Sequence, residues 1–231
     1  MRLDKLLRIA GAASRREARE LAAAGRVTVD GAVVSDYAME CLPEQTVCLD
    51  GVPAKPLPLV VYMLNKPAGC VTATRAEGQT SVLDLFLPEE RTGLFPVGRL
   101  DKDTEGLLLL TRDGDFCRRV IRPESGVWKT YEVRVSRPFP PDTERLFQEG
   151  LVLPDGKRLL PARIETAPDG RRAVIRVREG ITHQVRRMAA AVGTRVTYLK
   201  RLSIGGLTLD GTLPPGGYRP LTDDEQESVF R

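Results

Sequence analysis

Three carboxylates lie close together in the segment Phe95–Leu107, where Asp101, Asp103 and Glu105 alternate with other residues. Apolar stretches flank this segment on both sides, so we predict a polar loop between two strands. Paired carboxylates can divide the roles of acid and base, as they do in the cleavage of glycosidic bonds. The spacing does not distinguish between the three acids, and a charged surface loop without chemistry has the same composition.

A strongly basic segment runs from Arg171 to Arg201, with nine Lys or Arg residues against one acid. Such a local excess of positive charge is typical of a groove for an RNA backbone. Arginines in the first turns of a predicted helix here can reach both a phosphate and a nearby carboxylate. The polar residues in those turns are His183, Gln184, Arg186 and Arg187. A purely structural role for His183 is an equal alternative.

Two further segments place single polar residues beside predicted strands. Lys66 lies in Leu64–Gly69, which follows a strand and predicts a turn with a fixed lysine. Tyr131 follows Lys129 at the start of another strand, where its ring can stack on a base. The ordinary alternative for Tyr131 is a half-exposed tyrosine of a sheet.

The first 50 residues predict a small module of two helices and a hairpin. Apolar residues at helical spacing from Leu3 to Ala10 indicate a short helix that Gly11 ends. Ser14 and Glu17 fit a capping box at the start of a second helix, which ends near Gly25. Short apolar strands then follow around an Asp-Gly turn, the usual signature of a tight hairpin.

The polar surface of this module is rich in arginine. Seven basic residues face four acidic ones within the first thirty positions. A solvated helix face is the alternative, but arginines gathered on two short helices and a turn suit phosphate contacts. We predict RNA contacts for Arg2, Lys5, Arg15, Arg16, Arg19 and Arg26.

The remaining chain predicts an α+β fold. Residues 51–59 contain three prolines and indicate a stiff linker between a module at 1–50 and a larger domain at 60–231. In that domain, short strands and helices are mixed without the regular alternation of a doubly wound sheet. One predicted helix begins with Thr182 as its N-cap and runs to about Val192.

Composition excludes several classes of protein. The chain of 231 residues is 42% hydrophobic with a net charge of +4, so it can bury a core and is mildly basic. Its four cysteines show no CxxC spacing and it has one histidine, which argues against a zinc site. We expect reduced thiols and a cytoplasmic location, because no signal peptide or membrane-spanning stretch is evident.

Five motifs together resemble one enzyme family. The segments LNKPAG, PVGRLDKDTEGLLLLT, KTYEV, HQVRRM and GGYRPLT occur in the order and approximate spacing of the RsuA-like pseudouridine synthases. Roughly the first forty-five residues, with RLDKLL, SRREA and GRVTVDG, resemble the alpha-L RNA-binding module of the ribosomal protein S-four type. The resemblance therefore spans nearly the whole chain.

The resemblance implies a function for the carboxylate loop. Asp101 would be the catalytic aspartate, Tyr131 the residue that packs on the target uracil, and Arg186 the basic residue that pairs with Asp101. It also implies a mixed, mostly antiparallel sheet flanked by helices, and no cofactor. Further RNA contacts are expected at Lys66, Arg99, Lys129, His183, Gln184 and Arg187.

The motifs also indicate a substrate. THQVRRM and SIGGLTLD are closer to the small-subunit branch of the family, which implies 16S ribosomal RNA as the substrate. We expect that RNA to be part of a small-subunit assembly intermediate. The single order of modules, without an extra apolar patch, predicts a monomer. Alternatives are a synthase for 23S ribosomal RNA and a non-catalytic RNA-binding assembly factor. One departure stands out, since Ile181 replaces the arginine that the family usually has after Glu-Gly.

Overall fold

A computed structural model describes residues 1–231, which form two compact units. The smaller unit comprises Met1–Val60 together with Leu87–Leu94, and the larger comprises Val61–Phe86 and Phe95–Arg231. The predicted boundaries did not anticipate that 87–94 groups with the N-terminal residues. The only regular element within residues 87–94 is a short helix, Pro88–Arg91, which begins with a proline.

The smaller unit has the predicted order of two helices followed by short strands. Its helices are α1 (Leu3–Ile9), α2 (Arg15–Ala23) and α3 (Pro88–Arg91), and its strands are β1 (Val27–Val29), β2 (Ala32–Val33), β3 (Val47–Leu49) and β4 (Val52–Pro53). The strands form one antiparallel sheet in the order β2-β1-β3-β4.

The predicted capping box at the start of α2 is confirmed. Ser14 Oγ accepts a hydrogen bond from the Glu17 amide at 3.2 Å, and the Glu17 carboxylate accepts one from the Ser14 amide at 2.7 Å. These two bonds satisfy amides that a helix start otherwise leaves without partners. The apolar faces of α1 and α2 then pack on β1, with Leu3, Leu7 and Ala18 fully buried.

The larger unit contains the remaining elements. Its helices are α4 (Gly114–Ile121), α5 (Thr143–Glu149), α6 (Gln184–Ala191) and α7 (Asp223–Ser228). Its strands are β5 (Val61–Lys66), β6 (Phe95–Pro96), β7 (Glu105–Thr111), β8 (Lys129–Val135), β9 (Arg163–Thr166), β10 (Arg172–Val177), β11 (Val196–Ile204), β12 (Leu207–Thr208) and β13 (Tyr218–Pro220).

These strands form one mixed sheet in the order β13-β5-β7-β11-β8-β10-β9. Only β7 and β11 run parallel, and every other pair is antiparallel. The predicted α+β class with a mostly antiparallel sheet is therefore confirmed. Short β6 and β12 pair with β7 and β11 beside the main path.

Two hydrophobic clusters stabilise the larger unit. One joins β8, β10 and β11 to α5 and α6, with Phe147, Ile175 and Met188 fully buried. The other joins β5 and β7 to α4 and the C-terminal residues, with Met63, Leu107 and Leu109 fully buried. Strand β11 contributes residues to both clusters, and β7 contributes to the second.

Three local predictions are wrong. Thr182 does not cap a helix, because α6 begins at Gln184 and its N-cap is His183 in the left-handed region at φ 55°. Glu105 is not a loop residue, since it is the first residue of β7. Lys66 is not in a turn, since it is the last residue of β5.

None of the helices is long and apolar enough to cross a membrane.

Candidate active site

Asp101 lies in the loop that joins β6 to β7, and its side chain is 26% exposed. The loop is tight, because the Thr104 amide donates a hydrogen bond to the Asp101 carbonyl at 3.1 Å. Thr72 binds both backbone groups of Leu100, the residue before Asp101. Its hydroxyl donates a hydrogen bond to the Leu100 carbonyl at 2.7 Å and accepts one from the Leu100 amide at 3.2 Å. The backbone around Asp101 is therefore fixed before any substrate binds.

Lys66 stabilises the same loop through hydrogen bonds to its backbone. Its fully buried ammonium donates hydrogen bonds to the carbonyls of Pro67, Lys102 and Thr104 at 3.0, 3.2 and 2.8 Å. Burial lowers the pKa of Lys66 below its ordinary value. A side chain with no exposed surface cannot reach RNA, so the predicted RNA contact of Lys66 is wrong and its role is to hold the loop.

Two residues from the start of α6 contact the Asp101 carboxylate. Arg186 Nε lies 3.3 Å from Oδ2, and His183 Nε2 lies 3.5 Å from Oδ1. Arg186 also places Nη2 2.9 Å from Asp103 Oδ1. Of the three acids in the predicted loop, Asp101 is thus the one with both carboxylate oxygens beside basic groups.

The position of His183 depends on Gln184, which organises the turn before α6. The buried Gln184 side chain accepts a hydrogen bond from the Ile181 amide at 3.2 Å and donates one to Glu179 at 3.1 Å. Both ends of its amide are thus engaged within the protein, and its RNA contact stays a prediction. Ile181 packs against the α5–α6 hydrophobic cluster, a position suited to an apolar residue.

A cavity of about 740 Å³ opens beside Asp101. Its lining includes Tyr131 and Lys129 from β8, Arg201 from β11 and His183 from the turn before α6. Pockets of several hundred cubic ångströms suit a small ligand or a single nucleotide. The lining combines an aromatic ring, apolar side chains and basic groups.

Register places Tyr131 beside Arg201. The two residues are paired across β8 and β11, and Arg201 Nη1 lies 3.5 Å from the Tyr131 hydroxyl. On its other side, Arg201 pairs with Gly106 of β7. Gly106 has φ 96°, and a Cβ there would lie 2.2 Å from the Arg201 carbonyl oxygen, so only glycine permits this close approach.

Two family models match the chain. A family model for RNA pseudouridylate synthase matches residues 60–191, and one for the S4 domain matches residues 1–56. The chain belongs to the RNA pseudouridylate synthase family.

Similar proteins cover almost all of this synthase. A protein described as an uncharacterized RNA pseudouridine synthase, from Bacillus subtilis, is 42% identical over 97% of this chain and 96% of its own length. Ribosomal small subunit pseudouridine synthase A from Yersinia pestis is 43% identical over 99% and 98% of the two chains. A crystal structure of a pseudouridylate synthase superposes with a TM-score of 0.73 at 31% identity, covering 99% of each chain.

The other predicted RNA contacts lie partly in the larger unit and partly in the S4 domain. Arg99 is exposed and lines the cavity, whereas Arg187 forms an ion pair with Asp155 at 2.6 Å. The rest are in the S4 domain, where Arg2, Arg15, Arg16, Arg19 and Arg26 are exposed and Lys5 is half-buried. Arg26 is held against Asp50 by two hydrogen bonds at 2.8 and 2.5 Å.

Sequence reasoning overlooked Arg201 as a site residue, and its burial in the structure is what identifies it. In β11 the side chains of Leu199 and Arg201 share one face, and both are buried. A buried charged residue is uncommon and indicates a specific partner.

Proposed function

We propose that this pseudouridine synthase isomerises a specific uridine of 16S ribosomal RNA, with Asp101 as the reacting carboxylate. The observation that supports Asp101 most directly is its ion pair with Arg186 at 3.3 Å beside the cavity. The small-subunit target is supported by the names of relatives that are 40–43% identical over 99% of the chain.

The proposed reaction breaks the N-glycosidic bond, turns the base, and joins its C5 to the ribose. Asp101 acts on the ribose or the base as a nucleophile, or it removes a proton to give a glycal. Both routes need an ionised carboxylate, which the adjacent Arg186 guanidinium stabilises. Reaction groups held in place before binding contribute much of the rate of an enzyme.

The uridine has to leave its stack to reach Asp101, which costs a few kcal/mol. Stacking on Tyr131 offsets part of that cost, since base–aromatic stacking is worth about 1–3 kcal/mol. The exposed arginines of the S4 domain supply affinity for the surrounding RNA through phosphate contacts. We place the reaction in the cytoplasm, on an assembly intermediate of the small subunit, with the synthase as a monomer.

A map of pseudouridine in 16S and 23S ribosomal RNA, with and without the gene for this protein, tests the target. We expect one site in 16S RNA to disappear on deletion and to return with the wild-type gene. Loss of a 23S site instead would contradict the small-subunit assignment. Unchanged maps for both RNAs would favour an RNA-binding assembly factor.

Complementation of the deletion strain with Asp101→Asn tests the reacting residue. We expect no pseudouridine at the affected site and RNA binding close to that of the wild type, because the change removes one charge within a preserved shape. Asp103→Asn is the matched control from the same loop and should restore the site. If Asp101→Asn restored it as well, Asp101 would not be the reacting carboxylate.

A further inference from the structure

The guanidinium of Arg201 is incompletely paired inside the cavity wall. The residue is 4% exposed, and its Nε donates to the Leu107 carbonyl at 2.7 Å while Nη1 contacts Tyr131. Its Nη2 is buried without a hydrogen-bond partner in the protein. Buried polar atoms almost always have partners, so this nitrogen, in a side chain that lines the cavity, indicates a ligand.

Lys129 adds a second buried cation to the same wall. It is 7% exposed, and its ammonium donates only to the Val120 carbonyl at 3.3 Å. Burial, and then the charge of Arg201, lowers the pKa of Lys129 to about 8. Neither Lys129 nor Arg201 forms an ion pair with a carboxylate, so two cations are buried in the same cavity wall. Such an arrangement is costly unless a ligand supplies negative charge.

The proposed reaction supplies that charge. When the C1′–N1 bond breaks, its electron pair stays on N1 of the uracil and is delocalised onto the O2 and O4 carbonyl oxygens. When C5 joins C1′, the proton on C5 leaves, and N1 takes up a proton to give neutral pseudouridine. The base is thus an anion between two steps, and donors placed on its oxygens favour that state.

We propose that Arg201, assisted by Lys129, binds the uracil carbonyl oxygens and stabilises the anionic base between cleavage and rejoining. This inference rests on the proposed function, and it names the residues that bind the uracil during that reaction. Tyr131 would cover the face of the ring while Arg201, its register neighbour, donates to the edge. Arg and Lys donate and cannot accept, so this wall also rejects cytidine, whose N4 amino group replaces the O4 acceptor.

Calorimetric titration with free pyrimidines tests the anion site without any turnover. The probes are barbiturate, a pyrimidine that is an anion at neutral pH, and uracil, which is neutral. We expect the wild type to bind barbiturate at least tenfold more tightly than uracil, whereas Arg201→Gln should bind both with similar affinity. Arg201→Lys keeps the charge and should retain much of the preference. Equal binding of both probes by the wild type, or an unchanged preference in Arg201→Gln, overturns the proposal.

Release of tritium from C5 of uridine in 16S or 23S transcripts gives the second readout. At saturating enzyme we expect Arg201→Gln to lower the single-turnover rate by about 100-fold, the size found for loss of one charge-stabilising donor. RNA affinity should stay within twofold, and Arg201→Lys should be less impaired. Arg145→Gln, on the exposed surface of α5, removes the same charge and should leave the rate unchanged.

Thermal unfolding shows whether each variant folds. If Arg201→Gln is unfolded, Lys129→Met replaces it with Arg201→Lys as the charge-retaining control, and a barbiturate preference that Lys129→Met does not reduce overturns the proposal. A wild type that prefers barbiturate but releases no tritium from either RNA would support the anion site and contradict the proposed reaction. The two proposals can therefore fail separately.

Discussion

The ammonium of Lys66 lies within hydrogen-bond distance of the Thr104 carbonyl, at 2.8 Å, three residues beyond the proposed reacting aspartate. This buried lysine makes the loop of Asp101 part of the core of the larger unit. A loop with such an interior partner loses little entropy when substrate binds, because its conformation is already fixed.

Lys66→Met tests this support. The change leaves three carbonyls without their donor, and an unpaired buried polar group costs about 1–3 kcal/mol. We expect a lower free energy of unfolding in urea and a slower single turnover, with RNA affinity retained. Lys157→Met is the control, because Lys157 is exposed. Unchanged stability of Lys66→Met would mean that the loop holds itself.

Arg186→Ala should lower the single-turnover rate by about 100-fold at saturating enzyme, as expected for the loss of a preorganised charge partner. Arg187→Ala, one residue along α6, should instead raise the dissociation constant for RNA and make binding less dependent on salt. Filter binding at several salt concentrations and single-turnover assays separate the two effects. An unchanged rate for Arg186→Ala would exclude its pairing role.

Tyr131→Phe and Tyr131→Ala separate stacking from the hydroxyl contact with Arg201. We expect the phenylalanine variant to keep most of the rate, and the alanine variant to lose about ten- to hundredfold, the equivalent of about 1–3 kcal/mol of stacking. Single-turnover assays on the modified RNA measure both. Equal losses in the two variants would show that the hydroxyl matters more than the ring.

Lys129 predicts a pH dependence of stability. Its pKa is about 8 in the folded protein against an ordinary 10.5, so between these values the unfolded chain holds a proton that the folded protein has released. Stability therefore rises with pH across this window, and below about pH 8 the burial cost is fully present. Urea unfolding at about pH 7 and about pH 10 should show the wild type gaining relative to Lys129→Met. A constant difference would contradict the lowered pKa.

The S4 domain is expected to contribute affinity through charge. Replacing Arg15, Arg16 and Arg19 together by serine should weaken RNA binding and lower the slope of log affinity against log salt by about two, at about 0.7 per phosphate contact for single strands. Arg145→Ser is the control for loss of surface charge. An unchanged slope would mean that these arginines do not contact phosphates.

Local sequence patterns predicted correctly those elements whose structure depends on residues nearby in the sequence. Ser14 and Glu17 form their capping box because both partners lie within one helical turn. Thr182 failed as an N-cap because Gln184 holds the turn through Glu179 and Ile181, and His183 adopts a left-handed conformation instead. That arrangement depends on tertiary contacts, which a capping pattern does not contain.

Sequence motifs indicated the candidate site residues, but they did not indicate the buried contacts that hold those residues in place. The family resemblance singled out Asp101, Tyr131 and Arg186, which the fold brings to one cavity or its edge. The burial of Lys66 and the pairing of Arg201 with Gly106 depend on strand order, since β5 and β11 both border β7. No spacing along the chain reveals that β11 runs parallel to β7, so these residues became visible only in three dimensions.

The parallel ladder between β7 and β11 pairs only Lys200 with Glu105 and Arg201 with Gly106. Longer ladders flank it on both sides, and each half of the sheet has its own hydrophobic core. Local openings of a protein occur where few interactions hold the backbone. Among the central strands, amide hydrogen exchange should therefore be fastest at this junction. The cavity beside Asp101 could then open transiently while both hydrophobic cores stay folded.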